Sequence, residues 1–141
     1  MGHLCRTLDI IDQLKLEKPV AIFTESILEY KDLNKMLGPR LKDIHLIQPS
    51  KIVFDDREAL GRWIEKELIA LSCEELYIDV FPVGLYGELQ FLDFEPKKKH
   101  LVSRALKWNE YRDTRMIPLG INDELIYFDT VFTLESLDPE Y

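Results

Sequence analysis

The sequence is poor in the residues from which most enzymes build their sites. Histidine occurs only at His3, His45 and His100, and cysteine only at Cys5 and Cys73, with no metal-binding spacing among them. That scarcity excludes a zinc ribbon, a CxxC redox centre and a multi-bridge disulfide scaffold. A single bridge between Cys5 and Cys73 has no spacing to support it, and two free thiols in a reducing cytoplasm are the expectation. There is no phosphate-cradling glycine motif, no GxSxG and no HExxH. No cofactor is expected. No apolar run reaches the roughly 20 residues of a membrane helix. The opening "MGHLCRTLDIIDQLKLE" lacks the uncharged apolar stretch of a secretory signal, and Arg6 stands where a myristoylation signal has Ser or Thr. The expectation is a cytoplasmic protein with no membrane partner.

What is present is acid, unevenly spread. The formal net charge is -8 over 141 residues, yet between Pro96 and Arg115 seven Lys/Arg face only Glu110 and Asp113. The rest of the chain therefore holds 11 basic and 24 acidic side chains. Such a surplus repels nucleic acid and favours a protein partner with a basic surface. Nucleic acid is the lesser alternative, held through the 97–115 basic segment.

The length suits one domain spanning 1–141, and a hydrophobic fraction of 46% is enough for one core. Leu4, Leu8, Ile11 and Leu14 recur at helical spacing, with Pro19 closing the segment. "VAIFT" reads as a strand. Ser26 and Glu29 form a capping-box pattern ahead of Ile27, Tyr30, Leu33 and Leu37, and Gly38-Pro39 stops that helix. "DIHLI" and "KIVF" read as short strands. Asp55 caps a helix over about 56–71, striped by Leu60, Trp63, Ile64, Leu68 and Leu71. "ELYIDVFPV" and "GELQFLDF" flank "GLYG" and predict an antiparallel hairpin of Tyr77–Val83 with Glu88–Phe94. The 100–111 segment fits a helix or a strand, with helix preferred. "RMIPLG" and "ELIYFDTVF" make a second strand pair around "INDE", before a frayed acidic tail at 134–141. The fold class is thus α+β: N-terminal helices and short strands, then an antiparallel β-meander.

Two resemblances bear on function. Asp79 in a β-rich run, a hairpin, then Glu95-Pro96-Lys97 resemble in order the PD-(D/E)xK nucleases. That likeness implies two carboxylates holding Mg²⁺ and a lysine steadying the attacking water. Pro96 runs against it, since proline removes a donor from a central strand. The alternative is that Asp79 and Glu95 simply face solvent from a half-buried sheet. Separately, "KWNEYRDTRMIPLGINDELIYFDT" resembles the C-terminal signature of the SUKH superfamily of immunity proteins. The matching positions are Ile117, Pro118, Leu119, Gly120, Tyr127, Phe128 and Asp129, whereas that superfamily's Leu-Pro and Asn-Gly steps in the first half are missing. This second resemblance implies a non-enzymatic protein that neutralises a toxin, often a nuclease with a cationic groove.

The acid distribution and this resemblance converge on a non-enzymatic inhibitor or immunity protein, with a metal-dependent nuclease or nucleic-acid-binding enzyme as the alternative. Tyr86, Asp123, Glu124, Tyr127 and Asp129 are the candidate partner-binding residues; no catalytic or metal-ligating set is assigned. Tyr77, Phe128 and Phe132 could also serve as contact anchors, against the simpler reading that they pack in the core. Three readings of the basic segment compete: an exposed strand-edge device, pairing with the protein's own acids, and a phosphate site with Trp108 and Tyr111 stacking on bases. The edge device is preferred.

Overall fold

The computed structural model describes residues 2–17, 19–24, 30–49, 56–103 and 128–133. The chain divides into two compact units, Met1–Ile52 and Val53–Tyr141.

In the first unit, α1 (Gly2–Leu14) is followed by β1 (Val20–Phe23), α2 (Tyr30–Leu37), a 3₁₀ turn (Gly38–Leu41) and β2 (Ile44–Ile47). The i, i+4, i+7 spacing of Leu4, Leu8 and Ile11 puts all three on one face. They are buried with Ile22, Leu33, Leu41 and Ile44 in a common core. Pro19 is not what ends α1. Lys15 adopts φ 51 and the Leu16 amide donates to the Ile11 carbonyl at 3.1 Å, a Schellman closure made without glycine. Across the turn, Arg40 bonds Asp9 at 2.8 Å and Asp12 at 2.9 Å, so α1 is tied to the 3₁₀ segment by one guanidinium. β1 and β2 pair in parallel, Val20 opposite Ile44. The Ser26–Glu29 capping box and the "KIVF" strand lie outside the described residues.

The second unit runs α3 (Arg57–Ala70), β3 (Glu75–Asp79), a 3₁₀ turn (Glu88–Phe91), β4 (Lys98–Ser103) and β5 (Thr130–Thr133). Asp56, not Asp55, caps α3: its carboxylate accepts from the amides of Glu58 at 2.9 Å and Ala59 at 3.2 Å. Leu60, Gly61, Ile64 and Leu68 form the buried face, while Leu71, one residue beyond the helix, is exposed.

The sheet corrects the antiparallel meander. Among the described residues both sheets are wholly parallel, β1-β2 and β3-β4-β5. The Tyr77–Val83/Glu88–Phe94 hairpin does not form, because the strand stops at Asp79. Val80 takes φ 67 and the Phe81 amide donates back to the Asp79 carbonyl at 2.8 Å, a tight three-residue turn. Pro82 lacks an amide, and Gly84 (φ 87) and Gly87 (φ 79) bend the chain further. Residues 88–91 then coil rather than extend. β3 finds its partner in β4 instead, Glu75 opposite Lys98 and Asp79 opposite Val102. The preferred helix at 100–111 is likewise corrected over its described part, since His100–Ser103 belong to β4. There three consecutive buried residues, His100, Leu101 and Val102, belong to a central strand covered on both faces, a pattern that neither helical spacing nor alternation describes. The second strand pair is met only in part: Thr130–Thr133 is a strand, and the rest of that pair lies outside the described residues.

Candidate partner-binding site

From Glu67 to Pro96 the sequence has seven acids and no Lys or Arg, and the middle of this stretch forms the loop between β3 and the 3₁₀ turn. That loop is held by Glu88. Its side chain is buried and one carboxylate oxygen accepts from the Tyr86 amide at 2.8 Å. A carboxylate placed under its own loop in this way supplies an acceptor the turn would otherwise lack. The backbone adds Gly84 to Phe81 at 2.9 Å and Leu89 to Val83 at 3.0 Å, and the Gln90 side chain donates to the Gly87 carbonyl at 3.1 Å. On this pinned loop the Tyr86 side chain stays 38% exposed. Tyr86 therefore reaches the surface of an acidic stretch.

The loop's base rests on α3. Gly61 brings the helix so close to the 3₁₀ turn that a Cβ there would overlap the Glu88 carbonyl and stand 3.0 Å from the Phe91 Cβ. Arg57 lies over the Phe91 ring, 5.7 Å from its centroid. Arg62 bonds Asp93 at 2.6 Å and Glu65 at 3.3 Å, and the Asp93 amide donates to Glu65 at 2.8 Å. The Asp93 and Glu65 carboxylates keep the Arg62 guanidinium firmly protonated.

The lysines at the start of β4 are not an edge device, for β4 is the central strand of its sheet. Lys97 and Lys98 pair with the protein's own acids, as the second of the three readings has it, while the rest of the basic segment, with Trp108 and Tyr111, lies outside the described residues. Lys97 pairs with Glu74, Lys98 with Glu75 at 3.6 Å, and the Lys99 ammonium lies 5.2 Å from the centre of the Phe128 ring. The hydrogen bond from Lys97 holds the Glu74 carboxyl below the usual glutamate range. Asp129 is engaged with the same strand. Its carboxylate accepts from the Lys99 amide at 2.7 Å while its own amide donates to the Lys99 carbonyl at 2.8 Å. One residue thus clasps both backbone groups of Lys99, and its first role is to set the start of β5. Asp123, Glu124 and Tyr127 lie outside the described residues.

The structure does not bring Asp79 and Glu95 together. Asp79 is opposite Val102 near the end of β4, whereas Glu95 precedes Lys98 at its beginning. The Lys98–Val102 span alone is about 13 Å at strand rise, too far for two ligands of one metal ion. Among the described residues no group of three or more His, Cys, Asp or Glu could hold a metal. No helix among them is long and apolar enough to cross a membrane.

His100 is the most isolated polar group of the sheet. It is 6% exposed, and neither ring nitrogen has a hydrogen-bond partner. Its ring stacks on Tyr77 at 4.5 Å and tilts toward Phe132 at 5.9 Å, while Nε2 stands 3.5 Å from Glu75. Glu75 instead accepts from the Tyr77 hydroxyl at 3.2 Å, and burial, with that bond, raises the Tyr77 hydroxyl above its ordinary range. Tyr77 and Phe132 thus pack on His100 while staying partly exposed, and Phe128 meets Lys99. Sequence reasoning missed Glu88 as the loop's anchor and Gly61 as its seat. The signal for Gly61 was available, since glycine inside a helical pattern often marks close approach.

No protein-family model, curated protein or solved structure matches this chain.

Proposed function

We propose that the chain is a non-enzymatic binding module for a cationic protein, in its most concrete form an inhibitor or immunity protein that neutralises a basic toxin or nuclease. The observation that carries this reading is Tyr86, a solvent-facing aromatic on a loop already fixed by the buried Glu88. An anchor held in place before contact loses little conformational freedom on binding, and tyrosine brings large contact area with few rotatable bonds. The stretch around it has no basic residue from Glu67 to Pro96, so a cationic surface approaches without opposition. The SUKH-like residues 107–130 suggest the same class of partner. The metal-dependent nuclease is less favoured, because Asp79 and Glu95 stand at opposite ends of the sheet.

The test is to capture partners from the native host on the immobilised chain, identify any basic toxin or nuclease, and measure its binding to wild type and Tyr86→Ala. The variant should lose on the order of 2 kcal/mol, about thirtyfold in affinity, as interface hot spots do. Unchanged affinity in the variant would remove Tyr86 from the interface. Mg²⁺-dependent nucleic-acid cleavage by the chain, abolished in Asp79→Ala, would replace the reading altogether.

A further inference from the structure

The helix and strands of the first unit have counterparts in the second. A step of 56 residues carries Leu4 and Leu8 of α1 onto Leu60 and Ile64 of α3, and Ile22 of β1 onto Ile78 of β3, all of them buried. Both helices close in the same way without glycine. Lys15 and Ser72 each take φ 51, the Leu16 amide donates to the Ile11 carbonyl at 3.1 Å, and the Cys73 amide to the Leu68 carbonyl at 3.0 Å. The parallel pairs share their register. Ala21 faces His45 as Tyr77 faces His100, so His45-Leu46-Ile47 answers His100-Leu101-Val102, with one residue fewer in the second connection. The residue after the first strand of each pair also repeats its bond, Thr24 to Ile47 and Val80 to Val102, both at 3.0 Å. Parallel pairing requires a long connection, but neither a glycine-free helix end nor a His-Leu step at the same register position.

The connections between the strands carry the likeness further and show where it breaks. Tyr30-Lys31-Asp32-Leu33-Asn34 stands 56 residues before Tyr86-Gly87-Glu88-Leu89-Gln90. Tyrosine and leucine are identical, and the acid and the amide are each one methylene longer in the second copy. In the first unit these residues belong to α2, eight residues long, whereas the second keeps only a four-residue 3₁₀ turn there. Two glycines account for the difference. Gly84 (φ 87) and Gly87 (φ 79) stand where the first unit has Leu28 and Lys31. Glycine disfavours a helix interior more than any residue but proline, and its positive φ turns the chain out of one. Likeness at one fixed step, in sequence and in structure together, marks a repeated unit. We infer that the chain is an internal duplication of a unit of helix, strand, helix and strand, and that the Tyr86 loop is the second copy's inner helix undone to present a contact. The duplication stands on the residues named above, and the contact rests on the reading of a cationic partner.

Restoring the first copy's residues tests this on the intact chain. Gly84→Leu with Gly87→Lys cannot keep the loop, because a Cβ at Gly84 would overlap the Glu88 carboxylate and Gly87 sits at positive φ. The Cα and amide shifts of residues 86–93 should turn helical in that double variant, while the amides of β3 and β4 keep their positions. Gly87→Lys alone, the milder change, should carry helical shifts back to residues 86 and 87. Non-helical shifts at 86–93 in a folded double variant would overturn the duplication, as would a folded Gly87→Lys with 86 and 87 unchanged. Should the double variant fail to fold, the single variant decides. A Gly87→Lys chain that did not fold would also count against the inference, since the first copy accommodates Lys31 at the same place. None of these readouts needs a partner, so their failure leaves the cationic reading untouched. The role of the loop is read separately, with a basic protein captured from the native host. It should bind the double variant about thirtyfold more weakly, as it should Tyr86→Ala. Helical shifts with undiminished binding would keep the duplication and overturn the loop as the contact surface.

Discussion

Gly61 interrupts α3 where alanine would favour the helix by about 1 kcal/mol. The side chain alanine adds would meet the Glu88 carbonyl, and backbone cannot swing aside as a flexible side chain can. Overpacking of this kind costs typically about 1–3 kcal/mol, so it outweighs the helix gain. Gly61→Ala should therefore lower the denaturant midpoint, and an unchanged or raised midpoint would show that α3 and the 3₁₀ turn can separate freely. Cys73 offers a second test at this scale. Burial pushes its thiol above the ordinary cysteine range, and its Sγ–H donates to the Glu75 carbonyl at 3.4 Å. In a Cys5→Ser background, the pH midpoint for alkylation should lie higher in the folded chain than in denaturant. A midpoint at or below the denatured value would mean the thiolate is stabilised there.

Among the elements, the helices were the legible part and the sheet was not. The stripe Leu4, Leu8, Ile11 announces α1, because helical spacing is legible within the segment even though its burial draws on Ile22, Leu33, Leu41 and Ile44. Strand pairing is not local. "ELYIDVFPV" and "GELQFLDF" look like hairpin arms around two glycines, yet nothing in either run announces that Val80 will turn the chain at once. The partner of β3 begins nearly twenty residues on, in a segment whose apolar residues also suit a helix. At the binding site, Tyr86 is exposed on the loop that "GLYG" marks, although that loop is not the hairpin turn the sequence predicts. Glu88 was not legible, because a glutamate folded under its own loop has the same sequence as one in solvent. Asp129 was read as a partner contact, and its clasp on Lys99 depends on a pairing that only the fold creates. Asp129→Ala leaves the Lys99 amide without its side-chain acceptor and should cost about 1–2 kcal/mol, with faster exchange of that amide. Asp129→Asn, which keeps an acceptor, should lose much less. Equal loss in both would mean that the carboxylate acts by charge rather than by the bond.

For the molecule as a whole, the internal use of Lys97 and Lys98 sets how the acid surplus is felt. These lysines pair with Glu74 and Glu75 at the entrance to β4, so charge there is balanced within the sheet. The Lys97 pair also leaves a mark on the pH profile. Because Glu74 is depressed in the folded state, its stabilising share is present above the ordinary glutamate range and is lost as pH falls through the depressed value. The stability gap between wild type and Lys97→Gln should accordingly be flat near neutrality, shrink in acid and narrow with added salt, as exposed pairs do. A gap that widened on acidification would contradict the pairing. A different consequence attaches to the parallel order β3-β4-β5. Each neighbour is reached by a connection that must leave the sheet and return, from Asp79 to Lys98 and from Ser103 to Thr130. Neither contact can be rehearsed by a local turn, so chain closure must be largely complete before the sheet gives anything back. On a ribosome, β3 and β4 would emerge well before β5, so Lys99 would wait for Asp129 and the uncharged strand to arrive. The rate of folding, more than the final stability, is where this topology makes itself felt.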